Sequence, residues 1–270
     1  MASDACKAAR ALVASAHRIT VLTGAGVSTD SGIPDFRGPG PDGVWARDDA
    51  GPGFSLDAYL SDPEVRRLAW RTRLDSPVWT AKPNAAHKAL AELERSGRLR
   101  TVVTQNVDGL HQKAGSDPHR VLELHGTLHA TSCLGCGATG PMRDALQRVA
   151  GGEPEPDCPR CGGILKSATI SFGQELDGEV LRRARLAVLD CDVLLVAGTS
   201  LSVQPAAGLV PLAARAGARV VICNAEPTPY DSVATVVLHE PVGEVLPDLS
   251  SVPPSGGGRF SSWGDPSTWS

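Results

Sequence analysis

Aromatic side chains are scarce in this chain: four Phe, two Tyr and five Trp among 270 residues, or 4 %. A core must therefore be built from Ala, Val, Leu and Ile, which favours helices packed on a buried parallel sheet. Lysine is also sparse (Lys7, Lys82, Lys88, Lys113 and Lys166) beside abundant Arg, a bias that hints at a GC-rich bacterial genome. Charge blocks are missing, the formal net charge is −4, and no basic stripe alternates with aromatics. Direct nucleic-acid binding thus has little electrostatic support. No segment approaches the ~18 consecutive apolar residues of a membrane span. Asp4 stands where a signal peptide would be basic, and no apolar run follows it. These absences predict a soluble, cytoplasmic protein with no membrane contact. What is present, 41 % hydrophobic and 21 % charged residues without internal repeats, is enough for one substantial core and a small satellite module.

There are seven cysteines. Cys6, Cys191 and Cys223 are scattered, the last two in apolar strands. Cys133, Cys136, Cys158 and Cys161 form two C-x-x-C pairs. Each pair is a turn offering two thiolates to one ion, and two turns complete a tetrahedral Cys₄ site. A redox motif would instead need one C-x-x-C between a strand and a helix. The spacing therefore reads as zinc, and with four protein ligands its role is structural.

Ala5 to His17 is an amphipathic helix, followed by the β-branched run Ile19–Leu22 and the glycines of Thr23-Gly24-Ala25-Gly26. A strand, a glycine turn and then a helix would open a nucleotide-binding βα unit. Residues 37–53, rich in Gly, Pro and Asp, form a long loop. Residues 56–80 are helical, and Ala85–Glu94 is a helix with Asn84 as its N-cap. Strands are expected at Thr101–Thr104, Val121–Leu124, Val188–Ala197 and Arg219–Cys223, with a helix over Leu209–Ala216. Alternating helices and apolar strands imply a doubly wound α/β sheet. From Ser250 onward the composition is that of a flexible tail.

Polar or small residues follow strand after strand: Gly24-Ala25-Gly26, Gln105-Asn106-Val107-Asp108, His125, Gly198-Thr199-Ser200 and Asn224. In open α/β sheets ligands bind outside the carboxyl ends of the strands, so these clusters predict a single site. The glycine turn alone is weak evidence. Thr29 stands where the dinucleotide fingerprint has its third glycine, and a glycine pair can also serve only the backbone.

The longer run Gly24-Ala25-Gly26-Val27-Ser28-Thr29-Asp30-Ser31-Gly32-Ile33-Pro34-Asp35-Phe36-Arg37-Gly38 resembles the signature of the sirtuin family of NAD-dependent protein deacylases, bacterial type. Thr104–His111 and Leu122–Thr127 resemble it too. The cysteine pairs, Gly198-Thr199-Ser200 and Asn224 follow in the family's order, so the likeness spans roughly residues 10 to 248.

That resemblance implies a Rossmann-like parallel sheet with helices on both faces and an inserted zinc-ribbon and helical module. Residues 1–44, 83–128 and 169–249 would build the large domain, 45–82 and 129–168 the small module, and 250–270 the tail. It implies NAD as co-substrate, one structural Zn²⁺, and acylated lysine side chains of proteins as partners. Ala25 and Gly26 would line the pyrophosphate, Arg37 would contact phosphate, and Phe36 would cover the nicotinamide ribose. Gln105 and Asn106 would hold ribose hydroxyls, and Asp108 the nicotinamide carboxamide. Ser200 and Asn224 would contact the phosphate and adenosine end. Gly24, Asp35, Gly198, Thr199 and Val242 complete the implied NAD site. His125 would be the general base, with Asn106 beside it in the catalytic set.

The implied acyl-lysine segment is Ile170, Ser171, Phe172 and Gly173, pairing with substrate backbone by β-augmentation. Here the sequence departs from the family pattern. Gln174 stands for the usual Glu, and a proline near Ser167 is missing. Succinyl-preferring relatives carry a Tyr and an Arg separated by two residues. Neither Tyr59 nor Tyr230 has that Arg, and Trp70 with Arg73 offers an indole instead. A neutral acyl group, acetyl first, is expected. Alternatives are mono-ADP-ribosyl transfer from the same NAD site and a non-catalytic NAD-sensing module, the latter disfavoured by the intact Asn106, Asp108 and His125. His87 and His111 read as structural braces, and His17, His119, His129 and His239 form no constellation.

Overall fold

A computed structural model describes residues 3–35, 55–251 and 253. Helix α1 (Asp4–Ser15) is capped by Ser3, whose hydroxyl accepts the Cys6 amide. It leads into β1 (Ile19–Thr23), buried at every position. Where a helix was expected next, the chain makes two short 3-10 turns, Ala25–Val27 and Thr29–Ser31. Gly32, at φ +80°, ends the second turn before helical bonding can propagate.

Helices α2 (Leu56–Ser61) and α3 (Pro63–Leu74) follow, as the reading of 56–80 anticipates. Next come α4 (Ala85–Arg95), β2 (Leu99–Thr104), the short α5 (Leu110–Lys113) and β3 (Val121–Glu123). Asn84 is the α4 N-cap: its Oδ1 accepts the amides of Ala86 and His87 at 3.0 and 3.3 Å.

Strands β4 (Gly126–Cys133) and β5 (Thr139–Pro141), helix α6 (Met142–Ala150) and β6 (Leu165–Thr169) come next. The three strands make an antiparallel sheet in the order β5-β4-β6. Trp70 of α3 shares one buried cluster with Cys133, Met142, Ala145, Cys158 and Leu165, so the helical and cysteine-bearing segments have a common core.

The chain then returns through α7 (Gly178–Leu189), β7 (Val193–Ala197), α8 (Leu209–Arg215), β8 (Arg219–Cys223), β9 (Val236–Leu238) and α9 (Val242–Ser250). The strand expected over Val188–Ala197 is shorter than its apolar run. Val188 and Leu189 end α7, and the chain turns at Asp190, Cys191 and Asp192 before β7 begins. Asp192 accepts the amides of His17 and Arg18 at 3.0 and 2.9 Å, which fixes that turn. Its run was misread because a buried helix face and a buried strand are equally apolar.

The large sheet is wholly parallel, in the order β3-β2-β1-β7-β8-β9. Alternate residues of its central strands enter two cores. Ile19, Val21, Leu195 and Val221 face α1, α4 and α9, whereas Leu22, Leu194, Val196 and Ile222 face α7 and α8. With both faces covered, apolar residues can run continuously along each strand. This is the expected doubly wound sheet with a second, smaller one.

Candidate active site

The carboxyl ends of β1, β2, β3, β7 and β8 bring together the residues that sequence singled out. The glycines explain how. A Cβ on Gly24 would lie 2.6 Å from Thr199 Cβ, and one on Gly26 would lie 2.9 Å from Gly198 Cα. A Cβ on Gly198, whose φ is +59°, would meet the Val27 nitrogen at 2.5 Å. The turns after β1 and β7 are thus pressed together, and Gly26 N donates to Gly198 O at 2.9 Å. Of the two readings of the glycine pair, turn-to-turn packing is directly visible in these contacts.

Beside this floor lies the loop after β2. Gln105 Nε2 donates to Thr199 Oγ1 at 2.9 Å, tying it to the β7 turn. Asn106 Nδ2 donates to Gly24 O at 3.0 Å and to Ser28 Oγ at 3.1 Å. Ser28 Oγ in turn donates to Asp108 Oδ2 at 2.7 Å, and Asp108 Oδ1 accepts the Leu110 amide at 2.8 Å. No protein donor among the described residues uses Gln105 Oε1 or Asn106 Oδ1. Two acceptors on a fixed loop fit the donor hydroxyls of a ribose, so the residues present suit NAD.

His125 follows β3. Its Nδ1 lies 2.9 Å from Gln105 O, a carbonyl that can only accept, so Nδ1 carries the proton and Nε2 remains an available base. Burial lowers its pKa, and the bond to Gln105 O opposes that shift in part. The ring is therefore neutral near pH 7.

At the far end, Asn224 Nδ2 donates to Glu226 O at 2.7 Å. Its carbonyl lies 2.9 Å from His239 Nδ1. Ser200 is bonded by Ser202 Oγ, and Val242 opens α9, half-buried, beside the 25–27 turn. Asp35 is half-buried at the end of the 3-10 turns. Phe36 and Arg37 lie outside the described residues.

In the implied acyl-lysine segment, Ile170 N donates to His125 O at 2.8 Å, joining it to the loop of the base. Leu56 N donates to Phe172 O at 2.9 Å. Ser171 and Gln174 close a turn on each other: Gln174 N donates to Ser171 O at 3.0 Å, and Ser171 N to Gln174 Oε1 at 3.2 Å. Only Phe172 makes a β-bridge, to Ser55, and its side chain is half exposed.

Sequence reasoning missed a buried polar web beneath these loops. Thr23 Oγ1 donates to Thr104 Oγ1 at 2.8 Å, and Thr104 Oγ1 accepts the Asn106 amide at 3.0 Å. Thr23 Oγ1 also lies 3.0 Å from His111 Nε2, and His87 Nδ1 lies 3.0 Å from Asn84 Oδ1. Burial pushes the His87 pKa down to about 4 and that of His111 to about 3. The bracing role read for both histidines fits these contacts. The available signal was a set of hydroxyls (Thr20, Thr23 and Ser28) placed where strand and turn should be apolar.

The four Sγ atoms of Cys133, Cys136, Cys158 and Cys161 lie within 4.8 Å of one another. Cys133 and Cys161 are 3.5 Å apart and Cys136 and Cys158 3.8 Å. Zn–S bonds of about 2.3 Å would set tetrahedral sulfurs about 3.8 Å apart, so the cluster fits one structural zinc ion.

Residues 24–205 match the Sir2 family model. NAD-dependent protein deacetylase 2 of Streptomyces coelicolor is 53 % identical over 232 residues, covering 86 % of this chain and 95 % of that protein. NAD-dependent protein deacetylase 1 of Bradyrhizobium diazoefficiens is 42 % identical, covering 87 % and 91 %. A structure solved for the mechanism and regulation of Sir2 enzymes superposes with a TM-score of 0.82 at 39 % identity, covering 93 % of this chain and 97 % of that one. A Sir2 structure bound to a propionylated peptide gives 0.79 at 34 %, covering 89 % and 94 %. With strand ends, cysteine cluster and sequence all in agreement, the chain belongs to the Sir2 family.

Proposed function

We propose that this protein removes acyl groups, acetyl first, from lysine side chains of other proteins, using NAD as co-substrate in the cytoplasm. The observation that carries the reading is His125: neutral, held at Nδ1 by Gln105 O, with Nε2 available beside Asn106 and Asp108. Bound NAD would supply an electrophilic ribose carbon once nicotinamide leaves, and would end as the acyl acceptor. Gln105 and Asn106 would hold ribose hydroxyls through their free carbonyl oxygens, and Asp108, fixed by the Ser28 hydroxyl, would orient the nicotinamide amide. His125 Nε2 takes a proton from a ribose hydroxyl. Gly24, Ala25, Gly26, Gly198, Thr199 and Ser200 form the phosphate floor, and Asn224 and Val242 the adenosine end. Asp35 would border the same site.

The substrate lysine enters beside Ile170–Gly173. A neutral acyl group is supported by Tyr59, whose hydroxyl is spent on Leu165 O at 2.8 Å. Tyr59 thus has no hydroxyl proton left for an acyl carboxylate. Among the described residues no helix is long and apolar enough to cross a membrane. The shared core of α3 with the cysteine segment supports one small module made from 45–82 and 129–168.

The test is mass spectrometry of an acetyl-lysine peptide with and without NAD. Loss of the acetyl mass only with NAD, together with acetylated ADP-ribose, is the expected result. Nicotinamide release from an unchanged peptide would instead favour ADP-ribosyl transfer or NAD hydrolysis.

A further inference from the structure

A cavity of about 410 Å³ lies between β3, the β4–β6 sheet and α7, within the roughly 300–1,000 Å³ of ordinary ligand pockets. Gln105, Asn106, Asp108 and His125 do not line it; of the implied site residues it meets only Ile170, at the start of the acyl-lysine segment.

One wall is unusual. Strand β3 is the edge of the large sheet, paired to β2 alone. Leu124 N donates to Thr104 O, so along this parallel strand Leu122 and Leu124 turn their backbone groups toward β2. Val121 and Glu123 must turn theirs the other way, into the cavity. Neither residue's N–H or C=O has a hydrogen-bond partner among the described residues. Val121 is nonetheless only 7 % exposed. Buried main-chain donors and acceptors are rarely left unpaired, and an unpaired strand edge is a template for another strand.

The remaining walls define what could pair there. Leu124, Leu134, Ile170 and Val180 supply apolar surface. The charged groups are two of each sign, and three are already engaged. Lys166 Nζ donates to Ser167 O at 3.2 Å, Arg183 Nη2 to His119 O at 2.8 Å, and Asp177 Oδ1 accepts the amides of Glu179 and Val180. Burial raises the Glu123 pKa. With two groups of each sign the lining carries no net charge, and an uncharged occupant displaces none of these bonds.

We infer that this cavity is a second binding site, in which an extended, uncharged, β-branched peptide segment adds a strand to the free edge of β3 at Val121 and Glu123. Such a segment satisfies the two orphaned pairs of backbone groups and lays its side chains against Leu134, Ile170 and Val180. It would also touch the pivot of the reaction from behind. Gly126 and Ile170 line the cavity, and Ile170 is bonded to the backbone of His125.

The experiment is amide hydrogen exchange, read by NMR on the full chain, with the peptide acetyl-Val-Thr-Val-Thr-Val-amide at about 1 mM. Exchange at Val121 and Glu123 should slow about tenfold or more. The same peptide N-methylated at its inner residues cannot pair its backbone and should leave both amides unchanged. Val180→Trp, which fills the cavity, should abolish the protection. The inference is overturned if the peptide leaves Val121 and Glu123 unprotected, if the N-methylated peptide protects them equally, or if protection persists in a folded Val180→Trp. Should that variant not fold, the comparison of the two peptides on the natural protein decides alone. No step needs NAD turnover, so failure here leaves the proposed activity untouched.

Discussion

At the scale of single residues, His125 and the buried web make distinct, separable predictions. His125→Ala should lose turnover by at least about a thousandfold while NAD still binds, checked by peptide assay and by calorimetry; general-base contributions are commonly 10²–10⁴-fold. Burial lowers the His125 pKa, and only the neutral ring can accept a proton. The rate should therefore fall toward acid with an apparent pKa below the ordinary ~6.5, not above it, in a kcat/KM profile. His87 and His111 act on stability instead. Both have native pKa values far below the unfolded one, about 4 and about 3. The unfolded chain binds protons first as pH drops. Stability should thus decline below pH ~6.5 by roughly 1.4 kcal/mol per pH unit for each histidine, and level off below the native values. Urea melts at pH 6.5, 5.5 and 4.5 measure the slope, and His111→Gln should flatten it. Neither histidine announced this in the sequence. Thr23 and Thr104 meet only because β1 and β2 are paired, and His87 comes within 3.5 Å of Ser28 only because α4 packs above them.

Among the elements, the glycine turns and the caps carry the next tests. Gly26→Ala places a methyl 2.9 Å from Gly198 Cα, against backbone that cannot rotate away. A loss of about 1–3 kcal/mol is expected, with a larger loss of NAD affinity, from denaturant melts and titration. Asn84→Ala should cost about 1 kcal/mol through the α4 N-cap, seen as a lowered Tm. Most elements were legible because each carries its own punctuation: Asn84 before α4, Gly24 after β1, Gly198 after β7. Two readings failed where punctuation was ambiguous. Val188 lies on the buried face of a helix, as apolar as β7, and the exposed Leu189 beside it extends the same run. The turns after β1 never become the expected helix, because Gly32 stops them. The site residues were legible for a different reason: chemistry at the carboxyl ends of parallel strands must stand next to short, conspicuous turns. The substrate segment was less so, since the closure of Ser171 on Gln174 depends on a side chain, not on a pattern.

For the molecule as a whole, the small module is the part least able to stand alone. Its buried cluster is one Trp, one Met, two cysteines and a few small or aliphatic residues, and the cysteines are the proposed zinc ligands themselves. Removing the ion with a strong chelator, or Cys158→Ser, should unfold this module first. Protease cleavage would then concentrate in 129–168, and the large parallel sheet would melt later; metal content and limited proteolysis followed by mass spectrometry read both effects.

The pairing of the two glycine turns has a consequence in time. Thr23 and Gly24 leave the ribosome early, but the strand that completes their surroundings, Val193–Ala197, emerges only after the whole small module has been made. At about 5–20 residues per second, roughly ten to thirty seconds separate the two events. Once β2 has been made, β1 has β2 on one side and an open edge on the other. The nascent chain cannot hold NAD until its last third arrives, and during synthesis that vacant central edge is what a chaperone must guard.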